Sequence, residues 1–484
     1  MATKKIAIDP FNRLEGDLRV EITFDDNRVI KAKSSGILFR GFERMLPDRD
    51  PMDAIVFTPR ICGICSASHG VAAAKTLADA LSQDLPANAY LMRNLILGLE
   101  VVMSHLSHFY VLFAPDLTNP LYEGMKQYQA LKGRFAPMHG TSLLRAIKAR
   151  QSTLEIMGLV AGKWPNTLAI HPSGTTSTMT LSSLTRTIGI LKEFILFLES
   201  HFLGCSLDEW LDLDSYEKLD RWLGKKNHEN SDLGLFITSS LALALDRLGE
   251  GPGRYLCYGA YDQPDTGNWL PAGFYDGKLH PFDHELIREH ISSSFFRDAV
   301  PFRHPLEGIT TPYANKMGAY SWAKAPRYDG KTVEVGPLAR MIIASEPLVL
   351  DLTKEIGVNV LTRMLARLQE MVKLTRQIAI WLDAIKPSEP FYSTPSTWYR
   401  RSGVGLTESA RGALGHWMKT SSNLIESYQV ITPSAWNMSP RDAEGNPGPI
   451  EEALQNVVVR DRNNPVEINH IIRSLDPCMS CTVH

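Results

Sequence analysis

The sequence reads Arg60-Ile61-Cys62-Gly63-Ile64-Cys65 near one end and Asp476-Pro477-Cys478-Met479-Ser480-Cys481 near the other. Each C-x-x-C spacing lets one turn of backbone present two thiolates to a single metal ion. Four of the six cysteines in the chain belong to these two pairs. We therefore expect a fold that brings the two ends together around a four-sulfur metal site.

Composition excludes several classes of protein. The 484 residues are 44% hydrophobic and 21% charged, and 51 basic residues stand against 53 acidic ones. Such a balance gives no overall field for nucleic acid or an anionic membrane. The cysteine usage favours a reducing compartment, and neither a signal peptide nor a membrane-spanning helix is predicted. We expect a cytoplasmic protein, whose route to a membrane would be through partner subunits.

Hydrophobic periodicity predicts an α+β fold that is mainly α. Residues 18–24 alternate with period two and return through a turn as residues 29–32, which predicts an N-terminal β hairpin. Long apolar segments predict helices in a central bundle, with small sheets and loops at the periphery. The predicted helices cover residues 66–81, 89–113, 143–162, 181–204 and 359–385.

No linker, repeat or low-complexity segment interrupts the chain, so we expect a single body over residues 1–484. Its predicted parts are an N-terminal β part (1–50), a helical core (51–205 and 345–386), a loop-rich cover (206–344) and a C-terminal segment that closes the site (387–484).

Taken alone, each cysteine pair is also compatible with structural zinc in a non-enzymatic scaffold. Small zinc modules close within a few tens of residues, whereas 413 positions separate Cys65 from Cys478. Potential proton carriers also flank the pairs, among them His69, Asp476 and His484. Structural zinc does not need such groups, so the pattern favours a reactive centre.

The two motifs, R-x-C-G-x-C-x-x-x-H and D-P-C-x-x-C-x-x-H, resemble those of nickel–iron hydrogenase large subunits. The sequence Glu15-Gly16-Asp17 resembles the motif found in the branch of this family that contains uptake enzymes and hydrogen sensors. The resemblance spans the chain, with further matches in order at residues 12–16, 39–43, 105–110, 320–322, 325–328, 334–340, 410–412, 433–437 and 439–442.

This resemblance implies three metals. Nickel would be held by all four cysteines, and an iron carrying carbon monoxide and two cyanide ligands would share the second cysteine of each pair. Magnesium would lie near the C-terminus, bound by Glu43, His484 and the main-chain carbonyl of Val430. The implied nickel and iron ligands are Cys62, Cys65, Cys478 and Cys481.

The resemblance also implies roles for residues around the metals. Glu15 would relay a proton from Cys478, although from the residues alone it is a surface carboxylate beside a β hairpin. Arg411 would place its guanidinium over the open nickel position, with Asp476 as its carboxylate partner. Residues implied beside the iron ligands are Ser434, which would hydrogen-bond a cyanide, its neighbour Pro433, and His69, which could equally be a core histidine.

Three departures from the family pattern stand near the site. Ser104 occupies a position where many members have an aspartate, and Ala410 replaces a proline before the arginine. Ile64 stands where valine is commoner, a bulkier residue of the kind found in oxygen-tolerant sensors.

The implied activity is heterolytic cleavage and oxidation of dihydrogen, with electrons passing to an iron–sulfur small subunit. The pair could dimerise again, and a maturation protease would be needed if the gene product extends beyond His484. One alternative is a regulatory hydrogen sensor with low turnover that signals to a kinase. The related quinone-reductase subunit of respiratory complexes lacks the metal-binding cysteines, so it fits less well.

Overall fold

The computed structural model describes residues 4–225, 228, 230–264, 266–395 and 402–484. Its first three strands form an antiparallel sheet in the order β1-β2-β3. Alternate residues of β2 are buried, as the period-two pattern predicts, and Phe24 pairs with Val29 across the hairpin. The strands are β1 (Lys4–Ile8), β2 (Leu18–Asp25), β3 (Arg28–Gly36), β4 (Ile170–His171), β5 (Gly174–Thr175), β6 (Tyr255–Gln263), β7 (Gly267–Tyr275), β8 (Leu279–His280), β9 (Ile287–His290), β10 (Phe302–Arg303), β11 (Ala325–Tyr328), β12 (Ser402–Ser409), β13 (Gly412–Ser421) and β14 (Leu424–Ile431).

Helices dominate the rest of the chain and confirm the α+β, mainly α, prediction. They are α1 (Phe42–Met45), α2 (Asp53–Phe57), α3 (Ser66–Leu81), α4 (Ala87–Ser107), α5 (Tyr128–Phe135), α6 (Thr141–Ala161), α7 (Leu181–Phe197), α8 (Leu207–Leu211), α9 (Tyr216–Leu223), α10 (Asp232–Ala242), α11 (Pro337–Ile343), α12 (Pro347–Ile356), α13 (Val360–Ala384), α14 (Pro433–Asn437), α15 (Pro449–Ala453), α16 (Val466–Ser474) and α17 (Met479–Thr482).

The long helices α4 and α13 pack against each other at the centre of the bundle. Both are buried around most of their circumference, which matches their apolar pattern on more than one face. Asn359 begins α13 with a capping box shared with Thr362, so the helix start is fixed by local hydrogen bonds. A π turn (His108–Phe113) follows α4 and extends the predicted helix to its expected end.

Within the described part of the chain, one helical run has the length and composition needed to cross a membrane. This run is Ala87–Thr118, and 78% of its apolar window is buried inside the protein. Such burial is what a core helix shows.

The described residues of the loop-rich range 206–344 contain four short helices, α8 to α11, in addition to two small sheets, β6–β8 and β9–β11. The helices α8, α9 and α10 each begin at a serine whose side chain accepts a hydrogen bond from the backbone amide three residues further on. These capping serines, Ser206, Ser215 and Ser231, are sequence signals for helix starts that the periodicity alone did not reveal.

A three-stranded sheet in the order β12-β13-β14 occupies the C-terminal segment, for which no particular strand was predicted. Strand β12 lies directly on α3. A side-chain carbon at Gly403 would lie 2.1 Å from the Thr76 carbonyl oxygen, and one at Gly405 would lie 2.1 Å from that of Ala72. Glycine at both positions therefore allows a close approach that positions the turn between β12 and β13 near the start of α3.

Candidate metal centre

The first cysteine pair lies at the entrance to α3. Cys62 is extended between two short 3-10 turns, and the second of these, Gly63–Cys65, leads directly into the helix. The Cys65 amide lies 3.4 Å from the Cys62 carbonyl oxygen, which closes the turn. Both thiols are buried, so the C-x-x-C spacing presents them to the same interior point.

The second pair is held in place by the N-terminal segment. The Met479 amide donates to the Glu15 carbonyl at 2.7 Å, and Glu15 forms a parallel bridge with Cys478. Gly16, with φ of +82°, lies so close that a side-chain carbon there would be 2.6 Å from the Ser480 nitrogen. The motif around Glu15 therefore clamps the C-terminal cysteines by main-chain contacts, which explains the glycine at position 16.

The four thiols converge. The sulfur atoms of Cys62, Cys65, Cys478 and Cys481 all lie within 4.8 Å of one another. Cys478 Sγ lies 3.4 Å from Cys62 Sγ and 3.2 Å from Cys481 Sγ. Four soft donors at such distances in a buried pocket fit nickel and iron, whose preferred protein ligands include thiolates. We call this group the cysteine tetrad.

Arg411 places a fixed positive charge against the tetrad. It lies in the turn between β12 and β13, with Nη1 3.3 Å from Cys65 Sγ and Nη2 3.1 Å from Asp476 Oδ1. The other Asp476 oxygen lies 3.0 Å from Arg367 Nη1. Burial raises the pKa of Asp476, but Arg411, His108 and Arg367 lower it by more. The pKa therefore lies below its ordinary value, and the carboxylate is ionised.

The thiol pKa values follow from these neighbours. The contact with Cys478 raises the pKa of Cys65, yet hydrogen bonds from the other two cysteines and the charge of Arg411 leave it below its usual value. Burial raises the pKa of Cys478, but the surrounding thiols and Arg411 lower it well below the ordinary value. Cys65 and Cys478 therefore favour the thiolate, the form that binds metal. The contact with Cys478 raises the pKa of Cys62, and burial raises that of Cys481, so these two sulfurs hold their protons until a cation takes their place.

The residues predicted beside the iron ligands line the tetrad. The Cys478 amide donates to Ser434 Oγ at 2.9 Å, at the start of α14, where Pro433 is the first helical residue. His69 Nε2 lies 3.7 Å from Cys481 Sγ, and its Nδ1 lies 3.1 Å from His416 Nε2. Burial lowers the pKa of His69 to about 3, so the imidazole is neutral and can share a single proton with His416.

A cluster of oxygen ligands surrounds the C-terminal histidine. His484 Nε2 lies 3.4 Å from Glu43 Oε1, which also accepts the Val430 amide at 2.9 Å. Lys324 donates to the second Glu43 oxygen at 2.8 Å and to Gln429 Oε1 at 2.8 Å. Burial raises the pKa of Glu43, but Lys324 and His484 hold it well below its usual range. Carboxylate and amide oxygens are the ligand type that a hard cation such as magnesium takes, and here the Lys324 ammonium lies against both.

The structure reveals functional neighbours that the sequence did not. Arg367, on α13, shares Asp476 with Arg411 and also contacts His105 Nδ1 at 3.0 Å. Glu100, on α4, accepts the amides of Ala67 at 2.7 Å and Ser68 at 2.8 Å, and so caps the helix that follows Cys65. Neither residue belongs to a motif, so only the packing of α4 and α13 on the tetrad could identify it.

A cavity of about 590 Å³ leads from the tetrad region outward. Its inner wall includes the buried side chains of Arg411 and Glu100, and its outer wall includes the exposed Val111 and Ile147. Other lining residues are Glu15, Ile64, Ser104 and Leu112. Ser104, which stands where many family members have an aspartate, lines this cavity. The carboxylate that contacts Arg411 is that of Asp476.

Comparison with known proteins agrees with this geometry. The family model for nickel-dependent hydrogenases matches residues 40–122 and 234–484. The chain is 31% identical to the periplasmic [NiFeSe] hydrogenase large subunit of Desulfomicrobium baculatum, with 99% of this chain and 95% of that protein covered. It is 30% identical to the uptake hydrogenase large subunit of Rhizobium leguminosarum bv. viciae, with the same coverage.

Solved structures give the same result for the fold. The H2-activated [NiFeSe]-hydrogenase of Dm. baculatum superposes with a TM-score of 0.86 at 31% identity, with each chain fully covered. The reduced Ni-Fe-Se hydrogenase of D. vulgaris Hildenborough gives the same TM-score and identity. The family match, the whole-length similarity and the converging cysteine tetrad together show that this chain belongs to the nickel-dependent hydrogenase family, as a nickel–iron hydrogenase large subunit.

Proposed function

We propose that this chain is the catalytic subunit of an uptake hydrogenase, which cleaves dihydrogen heterolytically and passes the electrons to an iron–sulfur partner. One observation carries the proposal: four buried thiols converge with the Arg411 guanidinium 3.3 Å from Cys65 Sγ. When bound there, nickel and a carbonyl- and cyanide-carrying iron would supply the redox and Lewis-acid chemistry. Cys62, Cys65, Cys478 and Cys481 would hold them, and Ser434 and Pro433 would border the iron ligands.

The chain's own residues would polarise the substrate and move the proton. Arg411 is fixed by Asp476, so its charge faces the tetrad without needing to reorganise during the reaction. Glu15 is half-buried, lines the cavity and forms a backbone bridge with Cys478, and Ser480 Oγ donates to its Oε1 at 3.4 Å. Its carboxylate would receive the proton that leaves the Cys478 thiol. The proton would then pass from the cavity wall toward solvent.

The two electrons must leave the chain. Four of its six cysteines form the tetrad, and the remaining two, Cys205 and Cys257, are 52 positions apart and match no cluster motif. The electron acceptor is therefore an iron–sulfur small subunit, and exposed apolar residues such as Val111 and Ile147 beside the cavity favour a docking face there. This hetero-pair could dimerise, and a maturation protease would act only on a longer gene product.

Magnesium is proposed for the cluster around Glu43 and His484, where it would fix the C-terminal segment. Val430 was expected to supply its carbonyl oxygen, whereas the contact observed is from its amide to Glu43. Lys324 supplies positive charge at the same carboxylate. Placement in the cytoplasm, with association to a membrane through partners, rests on the cysteine usage, whereas one relative is named periplasmic. Cell fractionation tests the placement.

An infrared spectrum of the purified complex tests the proposed centre. Protein and water are nearly silent where carbonyl and cyanide ligands absorb, so one carbonyl and two cyanide bands are expected. An empty window in a fully metallated protein would contradict the iron centre and favour the scaffold with a plain metal on four cysteines.

A hydrogen sensor is the second candidate, and the bulky Ile64 on the cavity wall favours it. The rate of dihydrogen oxidation distinguishes the two functions, measured on a complex that shows the carbonyl and cyanide bands. A rate of at least about 1 s⁻¹ supports an enzyme. A far lower rate together with stable binding to a signalling kinase supports the sensor.

A further inference from the structure

A second group of side chains that could hold a metal lies where the predicted helical core ends and the predicted loop-rich cover begins. Cys205, Glu209 and His228 each offer a ligand atom, and these atoms all lie within 4.8 Å of one another. Cys205 precedes α8, Glu209 lies within α8, and His228 follows α9. The group therefore joins the two ends of a short helical segment, and it shares no residue with the cysteine tetrad.

Trp222 orients two of the three ligands. Its indole Nε1 donates to Cys205 Sγ at 3.4 Å, and its carbonyl oxygen lies 2.8 Å from His228 Nδ1. Its ring also stacks on the imidazole, with centroids 4.3 Å apart and planes inclined by 17°. A carbonyl can only accept, so Nδ1 carries the proton, and Nε2 of the neutral imidazole presents its lone pair. A metal-bound histidine is usually held in this way by a carbonyl or carboxylate behind it.

The third ligand faces this lone pair. Glu209 Oε1 lies 3.9 Å from His228 Nε2 and accepts a hydrogen bond from Lys225 Nζ at 2.6 Å. A cation entering this group would take the place of Lys225 Nζ at that oxygen. In a tetrahedral zinc site with ordinary bond lengths, ligand atoms are about 3.4–3.6 Å apart. The observed group is slightly wider, so side-chain movements of about 1 Å would close it.

The charges are also suitable. A thiolate and a carboxylate together neutralise a divalent cation once Lys225 has released Glu209, and the imidazole adds no charge. A role in packing alone would not require a carboxylate and an oriented imidazole beside the same sulfur.

We propose that Cys205, Glu209 and His228 form a zinc site, with water in the fourth position, that fastens α8 to the end of α9. Thiolate, imidazole and carboxylate are the protein ligands that zinc takes, and three of them with one open position make a tetrahedral site. The inference is independent of the hydrogenase activity, because the ion would act on the structure of this segment.

The nickel-loaded complex is the material for the test, because nickel then fills the tetrad and keeps zinc out of it. The complex is incubated with a zinc salt, desalted, and analysed by metal content and by zinc-edge X-ray absorption. We expect one zinc per large subunit, with one sulfur at about 2.3 Å and nitrogen or oxygen ligands at about 2.0–2.1 Å. The zinc edge does not overlap with nickel or iron, so the tetrad does not contribute.

Two variants and a matched control complete the test. Cys205→Ser and His228→Gln should each weaken zinc retention by at least about tenfold and leave hydrogen oxidation intact. Cys257→Ser, which removes the other buried cysteine outside the tetrad, should leave zinc retention unchanged. Absence of zinc from the wild-type complex, a shell of several sulfurs, or equal retention by Cys205→Ser would overturn the proposal. If the variants fail to fold, the wild-type spectrum alone decides.

Discussion

Replacing Arg411 by lysine tests the role of its guanidinium while keeping the charge. The arginine makes two contacts that a lysine cannot make together, one to Cys65 Sγ at 3.3 Å and one to Asp476 Oδ1 at 3.1 Å. Lysine carries one nitrogen in place of Nη1 and Nη2, so it cannot reproduce both contacts in the observed geometry.

The size of the effect follows from these contacts. A hydrogen bond to a charged group contributes about 1.5–3 kcal/mol. If the lysine ammonium pairs with Asp476, it moves away from the tetrad. The interaction lost is then the contact with Cys65 Sγ, on the side of the site that would face the substrate. Because each 1.36 kcal/mol corresponds to tenfold in rate, kcat should fall about 10- to 150-fold.

The assay is hydrogen oxidation with an artificial electron acceptor, normalised to nickel content and accompanied by an infrared spectrum. Metal content and the infrared bands should be unchanged, because Arg411 is not a metal ligand. Arg327→Lys is the matched control, since Arg327 is equally buried but pairs with Asp442 at 2.8 Å instead of a sulfur. A wild-type rate per nickel in Arg411→Lys would refute the electrostatic reasoning.

Three further substitutions address the proton path, the tetrad and the Glu43 cluster. Glu15→Gln should lower hydrogen oxidation at least about 100-fold at unchanged nickel content, because the amide cannot carry the proton. Cys481→Ser should abolish hydrogen oxidation and lower nickel content, because a hydroxyl is a poor ligand for a soft metal. Glu43→Gln should lower the free energy of unfolding by about 3 kcal/mol, because the buried Lys324 loses its nearest carboxylate. The pKa of Glu43 is depressed in the fold, so in the wild type this stabilisation is present above its ordinary value of 4.5 and is lost as the pH falls below it.

Each substitution has a matched control at a residue of the same type or charge. Asp17→Asn removes a half-buried carboxylate two residues from Glu15 and should leave turnover unchanged. Cys257→Ser should keep nickel, and Glu217→Gln, at an exposed carboxylate, should leave the unfolding free energy unchanged. Full activity in Glu15→Gln or Cys481→Ser would contradict the assigned roles. If the melting temperature of Glu43→Gln had the same pH dependence as that of the wild type, the stabilising role of the Glu43 carboxylate would be contradicted.

Patterns that repeat within one element were predictable from the sequence. The apolar run of α3 gave its bounds as 66–81, and the structure has Ser66–Leu81. The N-terminal hairpin was predictable for the same reason, since a period of two selects one face of a strand. The sheet β12–β14 was not predicted, because β13 is buried on both faces over residues 412–418 and β12 carries glycines where it meets α3.

The residues of the site also differ in whether a local sequence pattern marks them. Cysteines at C-x-x-C spacing have a local signature, so the tetrad could be predicted, and the structure brings its four sulfurs together. Arg367 and Glu100 have no such signature. Their proximity to the tetrad depends on how α13 and α4 pack, and a helix pattern gives the buried face without naming the neighbour it meets.

The separation of the two cysteine pairs has a consequence for biosynthesis. A ribosome that adds about 5–20 residues per second needs roughly 20–80 s to pass from Cys65 to Cys478. Throughout that interval the nascent polypeptide carries two thiols without their partners. The contact between the Met479 amide and the Glu15 carbonyl forms only after Met479 has been synthesised. The four-sulfur site therefore cannot be completed before Cys481 is added, and a product truncated before Cys478 would lack two of its four thiols.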